Sequence, residues 1–314
     1  MLKKRLFAIL TLIVGVMFVF GFTACDDSDN GGDGEETLTW TAVDGTFNYT
    51  IFVITYGGGK FIAGGNDGNM AYSTDGITWT EVADRTFFSN SFIRCIAYGN
   101  GRFVAGVPYR IAYSTDGLTW EEGIYTSVNI QDIAYGAGKF VAVGSDRGIL
   151  YSADGLTWTE VTVSNFPERR SLISNIVFGG GRFVAGVTGG GMLVSTDGVT
   201  WTRVADDLFL NNSISGIAYG NGKFLAIGRE GQLYSSVDGV TWTEVEVAER
   251  MSGLTYGAGR FVAHMREVGR VWSTDGITWT TISDWPSDVV AYGGGRFVAW
   301  LHSSGTFAYS NILE

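Results

Sequence analysis

A Gly followed by Lys or Arg and then Phe recurs seven times, from Gly59-Lys60-Phe61 to Gly295-Arg296-Phe297, at intervals of 36 to 43 residues. Self-similarity at this period means that each unit is too small to bury its own apolar face and must stack on neighbours. Within the third unit, DIAYG, KFVAVG, ILYS and LTWTEV follow one another, rich in Val, Ile, Thr and aromatics and separated by Gly or Asp-Gly punctuation. Such runs read as short strands joined by tight turns. Four strands in about 40 residues predict the blade of a β-propeller.

The count predicts how the ring closes. A Thr-Trp pair occurs seven times, but Trp40 precedes the first Gly-Lys-Phe turn and none follows the last. The segment Leu38 to Val43 is therefore expected to supply the missing fourth strand of the final unit, tying both ends of the domain together and removing a free sheet edge. The expectation is an all-β, seven-bladed propeller of four-stranded blades over residues 38–314, closed by its N-terminal strand.

A second motif recurs six times, with its Asp at Asp75, Asp116, Asp154, Asp197, Asp238 and Asp275. Placed at a turn, Asp accepts hydrogen bonds from main-chain N–H groups two or three residues on, Gly tolerates positive φ, and Trp supplies packing area. Ser73-Thr74-Asp75-Gly76-Ile77-Thr78-Trp79 resembles the Asp-box, or BNR repeat, of sialidase-like propellers, shortened by one residue between Asp and Gly. The copy at Asp238 carries an extra residue before the Asp. In that family the box is structural, so the resemblance implies a scaffold role for the six aspartates and does not specify an activity. The Gly-rich YGGGK turns are not phosphate loops, because they join strand to strand and lack the Lys-Ser/Thr ending.

The first residues carry an address. MLKKR is basic, Leu6 to Phe20 is apolar, and GFTAC ends in small residues before Cys25, the layout of a secretory signal. Phe22-Thr23-Ala24-Cys25 resembles a bacterial lipobox, with Phe where an aliphatic residue is usual. The reading is a signal peptide over 1–24 and a lipidated Cys25 opening an acidic tether over 25–37. It implies export across the inner membrane and a bacterial lipoprotein anchored in the bilayer by its lipid alone, at the periplasmic or cell-surface side. Asp26, Ser28, Asn30 and Gly31 begin like a calcium loop, but Thr37 stands where the bidentate Glu belongs. The net charge is −11 and grows more negative once Lys3, Lys4 and Arg5 leave with the signal. Nucleic acid is excluded as a partner, since binding phosphates requires a basic face. His264 and His302 are the only histidines, and no cofactor or metal is expected.

Function is sought where the units differ, on the loops between the second and third strands and between units. Tyr109, Arg110, Arg147, Arg229, Arg266, Arg270, Trp285 and Trp300 map there, and Arg with aromatics is the composition that interfaces favour. Tyr109-Arg110-Ile111 is similar to the start of the sialidase F/Y-R-I-P motif, with Ala112 in place of Pro. The expectation is a monomeric, non-enzymatic propeller that binds a protein or carbohydrate on this face. The alternatives are a sialidase-like glycoside hydrolase and a scaffold or assembly factor for a membrane complex, since fold alone does not assign function.

Overall fold

The computed structural model describes residues 39–43, 47–83, 86–88, 90–161, 163, 171–205, 208–209, 213–282 and 289–311. Cys25, the signal over 1–24, the tether over 25–37 and Trp285 lie outside these residues. The described chain is all-β and propeller-like, with its strands paired antiparallel throughout.

The expectation of seven blades is corrected: the strands form six sheets, five of four strands and one of six. The six-stranded sheet takes in both the second and third sequence units. Its cause is local. Arg102–Ser114 runs through as one strand where other units turn between their second and third strands, and Glu121–Gly136 continues across the expected link between units. Other units break at NDGN, SDRG or TGGG, whereas VPYRIAYS has no Gly and carries only breaks in ladder register, at Tyr109, whose φ is 61°, and between Ile111 and Ala112. A β-rich run without a Gly to take the tight positive-φ turn stays extended and keeps pairing.

Each inner strand turns into the next at the Gly-Lys/Arg-Phe site. Gly58 and Gly59, with φ of 55° and 78°, show two consecutive positive φ values, the two-residue hairpin turn whose twist suits antiparallel strands. The following Phe is buried in every unit: Phe61, Phe103, Phe140, Phe183, Phe224, Phe261 and Phe297 are all at most 1% exposed. Burial of each contributes about 1.5–3 kcal/mol.

The first strands of successive units pack side by side around the axis: Ile51–Gly57, Cys95–Gly99, the end of Glu121–Gly136, Ile173–Gly179, Ile214–Gly220, Met251–Gly257 and Val289–Gly293, which returns to the first. The joint is one contact repeated. The Gly that ends each of these strands lies against the aromatic ring of the next unit, so a Cβ on Gly57 would sit 2.1 Å from Tyr98 and one on Gly99 2.0 Å from Tyr135. Gly136 meets Phe178 and Gly179 meets Tyr219 in the same way. Only a residue without a side chain admits the ring so closely.

Closure at the chain ends is direct. Trp40–Ala42 pairs antiparallel with Thr306–Ser310 in the register Trp40↔Ser310 and Ala42↔Ala308. Thr39 N donates to Asn311 Oδ1 at 3.1 Å and Asn311 N to Thr39 O at 3.0 Å. The Trp that follows each Thr packs on the preceding unit; Trp79 stacks on Phe307 with centroids 3.7 Å apart and planes 3° from parallel.

Candidate functional site

The antiparallel order places the Gly-Lys/Arg-Phe hairpins and the Asp turns at one end of every sheet, here the lower face. All six Asp turns share the bonds among Ser, Asp and main-chain N–H groups, and the first five add one from the Trp indole, which Trp279 Nε1 does not make. In the first, Ser73 Oγ donates to Asp75 Oδ1 at 2.9 Å, and Oδ1 also accepts from Ile77 N and Thr78 N at 2.8 and 2.7 Å. Gly76 N donates to Ser73 Oγ at 2.8 Å, and Trp79 Nε1 donates to Gly76 O at 3.3 Å.

These donors set the acidity. The N–H groups of Thr157 and Leu156 hold the Asp154 carboxyl at about 2, and those of Ile277 and Thr278 do the same for Asp275. The Thr200 N–H lowers Asp197 to about 2 against its partial desolvation. A carboxylate that accepts two or three N–H bonds is stabilised in its charged form. It is a poor proton donor or base at neutral pH, so the turn offers little for acid–base chemistry.

Three of the lower-face cations reach the main chain of the Asp turns. Lys60 Nζ donates to Asp116 O at 2.8 Å and Lys223 Nζ to Asp275 O at 2.7 Å, while Arg102 Nη1 donates to Asp154 O. In each case the acceptor is a main-chain carbonyl in the next unit, so the cation stitches unit to unit.

On the upper face the structure separates the residues singled out from sequence. Trp300 is 1% exposed, in the core with Phe307 and Ile51, because the strand Arg296–Leu301 extends through it. Arg270 is 4% exposed within the strand Gly269–Ser273. Arg266 is exposed and pairs with its neighbour Glu267 at 3.7 Å. Arg147 and Arg229 sit on loops whose main-chain N–H groups donate to Ser171 O and Ser213 O. The five arginines therefore do not form one exposed set.

Arg110 and Tyr109 are the exceptions. The Arg110 guanidinium lies 4.9 Å from the Phe87 ring centroid and 5.9 Å from that of Tyr125, and its Nη2 donates to Ser91 Oγ at 2.8 Å. Tyr109 and Tyr125 are 52% and 70% exposed.

Sequence reasoning missed the neighbouring pocket. Phe52, Phe92, Arg94 and Gln131 line a cavity of about 440 Å³ at the upper ends of the inner strands. The two Phe rings meet edge to face with centroids 5.9 Å apart, and Arg94 Nη1 donates to Gln131 Oε1 at 3.1 Å. Phe52 and Gln131 each sit at a break in ladder register, between Ile51 and Val53 and between Ile130 and Asp132. Such bulges re-aim side chains away from the pleat. The same position holds Ser174 and Ser215, whose hydroxyls donate to Ile214 O and Ile227 O. The readable signal was that Phe52, Arg94, Gln131, Ser174, Ser215 and Ser252 occupy one position of the repeat, after Ile or Met, and differ there; the bulges that turn it into a pocket leave no mark in the sequence.

Asp132, beside Gln131, is pushed up to about 7 by burial, although it accepts hydrogen bonds from Ile133 N and Ile176 N. Among the described residues no group of three or more His, Cys, Asp or Glu is placed to hold a metal ion.

Residues 176–293 match the family described as the DUF6242 beta propeller domain. No curated protein matches the chain. Among solved structures, YCF48 bound to D1 peptide is similar at a TM-score of 0.68 and 15% identity, covering 89% of this chain and 98% of that one. YCF48 from Cyanidioschyzon merolae is similar at 0.64 and 17%, covering 86% and 98%. The GH74 enzyme of Niastella koreensis is similar at 0.64 and 20%, covering 84% of this chain and 43% of that one. At these identities the likeness establishes a propeller fold.

Proposed function

We propose that this chain is a non-enzymatic propeller that holds a protein segment on its upper face. The observation that carries this reading is the asymmetry of its exposed aromatics. Among the described residues they are Phe52, Phe92, Tyr109 and Tyr125, and all belong to the first three sequence units. A repeat ring has no packing reason to concentrate solvent-facing rings in one sector, and such patches mark interaction sites. The similar fold of YCF48 bound to D1 peptide supports a peptide-like ligand. A sialidase-like site draws no support, since Arg270 is buried and Arg266 pairs with Glu267.

The six Ser-x-Asp-Gly turns act as Asp-box scaffold, one oxygen of each carboxylate accepting from two main-chain N–H groups and a Ser hydroxyl. The reading includes export, removal of residues 1–24, and a lipid on Cys25 that tethers a monomeric propeller through residues 25–37 at the periplasmic or outer surface of a bacterial membrane. Photo-crosslinking on intact cells tests the binding role. The wild-type chain should capture a discrete protein that a Tyr109→Ala/Tyr125→Ala variant loses. Equal capture by both chains, or none, would remove the reading.

A further inference from the structure

The geometry points to the pocket of Phe52, Phe92, Arg94 and Gln131 as the anchor site for a peptide segment in which an acidic residue adjoins an aromatic or large apolar one. This assignment rests on the protein-binding reading and names the chemistry of its ligand.

Three observations converge. First, Phe52 and Phe92 are 42% and 47% exposed and contact each other edge to face at the wall of a cavity of about 440 Å³. That arrangement leaves ring faces and edges open to a third apolar or aromatic group, the geometry in which aromatic pairs gain most. Second, Arg94 is exposed, and no carboxylate among the described residues lies within ion-pair reach of it; its guanidinium donates to Gln131, a neutral amide. Arg110, bonded to Ser91 next to Phe92, likewise meets a hydroxyl and two rings and no described acid. Arg266 by contrast pairs with Glu267. In a chain of net charge −11, two unneutralised guanidiniums beside exposed rings are complementary to an anionic, apolar partner. Third, the lining residues are held by the fold itself: Phe52 and Gln131 stand at bulges of the inner strands on either side of Cys95–Gly99, and Arg94 N donates to Gly106 O at 3.1 Å. A pre-formed site loses little freedom when it binds.

Phosphate or nucleic acid is disfavoured by the overall negative field. A neutral glycan would use the rings and Gln131 but would gain nothing from the charge of Arg94.

The test uses the propeller and two acetylated, amidated hexapeptides, Gly-Phe-Glu-Phe-Glu-Gly and its counterpart with both Glu replaced by Gln, in isothermal titration. The acidic peptide should bind at least about tenfold more tightly than the Gln peptide, the scale of one charge-assisted hydrogen bond. Arg94→Gln should erase that preference, and Phe92→Ala should weaken both peptides. Glu160→Gln, on the outer strand Thr159–Val161, should change neither. Thermal melts matching wild type show that each variant is folded. Equal affinity for the two peptides, a preference that survives Arg94→Gln, or no binding of either peptide overturns the assignment. So does a response to neutral cello-oligosaccharide alone. Loss of these signals with cellular capture intact removes the pocket assignment and leaves the protein-binding reading; peptide binding with no cellular partner does the reverse.

Discussion

Tyr56 of the first inner strand lies over Gly293 of the last: a Cβ at Gly293 would stand 2.0 Å from Tyr56 Cγ. This is the same contact that joins Gly57 to Tyr98 and Gly99 to Tyr135, so the final joint of the ring uses the chemistry of every other joint. Between neighbouring rigid strands a methyl group has no room, and overpacking of this kind costs about 1–3 kcal/mol. Gly293→Ala should lower the melting temperature clearly. Gly59→Ala, where nothing lies within 4 Å of the new methyl, should cost only the strain of a positive φ, about 1 kcal/mol. Equal melting shifts for the two variants would contradict the joint.

Removing residues 39–43 should destabilise the domain as a whole, because it exposes the edge of Thr306–Ser310 and takes Trp40 from its place against the cluster of Val262, Ile282 and Phe297. The expected readout is a lower, still cooperative, thermal transition. An unchanged transition would show that the pairing contributes nothing.

Stability should respond to pH in two windows of opposite sign. Asp154, Asp197 and Asp275 lie at about 2 when folded, below their unfolded value of 3.8. Their contribution is complete above about pH 4 and is lost as pH falls toward 2. Asp132 lies at about 7 when folded, above 3.8. Its unfolded form ionises first, so stability declines as pH rises from about 4 to about 7 and is level beyond. Denaturant midpoints across pH should therefore flatten between 4 and 7 in Asp132→Asn and fall less steeply below 4 in Asp197→Asn, where Asp154 and Asp275 still contribute. A slope unchanged in either variant would refute that assignment.

Lys223→Met should cost little, roughly 1 kcal/mol, since it deletes one charge-assisted bond from Nζ to Asp275 O on the exposed lower face. The loss should be nearly the same in 0.05 and 0.5 M salt, because the acceptor is a carbonyl and no carboxylate partner is involved. A strong salt dependence would point back to ion pairing.

Cys25→Ala should abolish incorporation of labelled fatty acid and release the protein from the membrane fraction. Labelling that persists in the variant would sink the proposed anchor.

Much of the fold was legible because its determinants are local and repeated. Gly-Lys-Phe and Asp-Gly each mark a turn by backbone conformation, and the surplus Thr-Trp at residue 40 indicated a strand without a unit. Blade number was misjudged because repeat count and sheet count part company where a unit lacks the turn Gly, as in VPYRIAYS. Trp300 was placed on a loop because its strand ends only at Leu301, one residue beyond it. Candidate arginines were found by position on the repeat, which locates a face but not whether a side chain pairs, buries or projects. Arg94 looked no different in sequence from Arg266. What distinguishes them is the carboxylate beside one and the bulged, aromatic surroundings of the other.

The reciprocal hydrogen bonds between Thr39 and Asn311 make the domain circular in all but its covalent chain. No unit is first in an energetic sense, since the contacts at the seam are those found elsewhere. Joining residues 39 and 311 by a short linker and opening the chain at the Asn66–Gly68 tip should give a permuted protein with the same ring. The point at which synthesis starts would then matter to the order in which blades assemble, and not to the structure they reach.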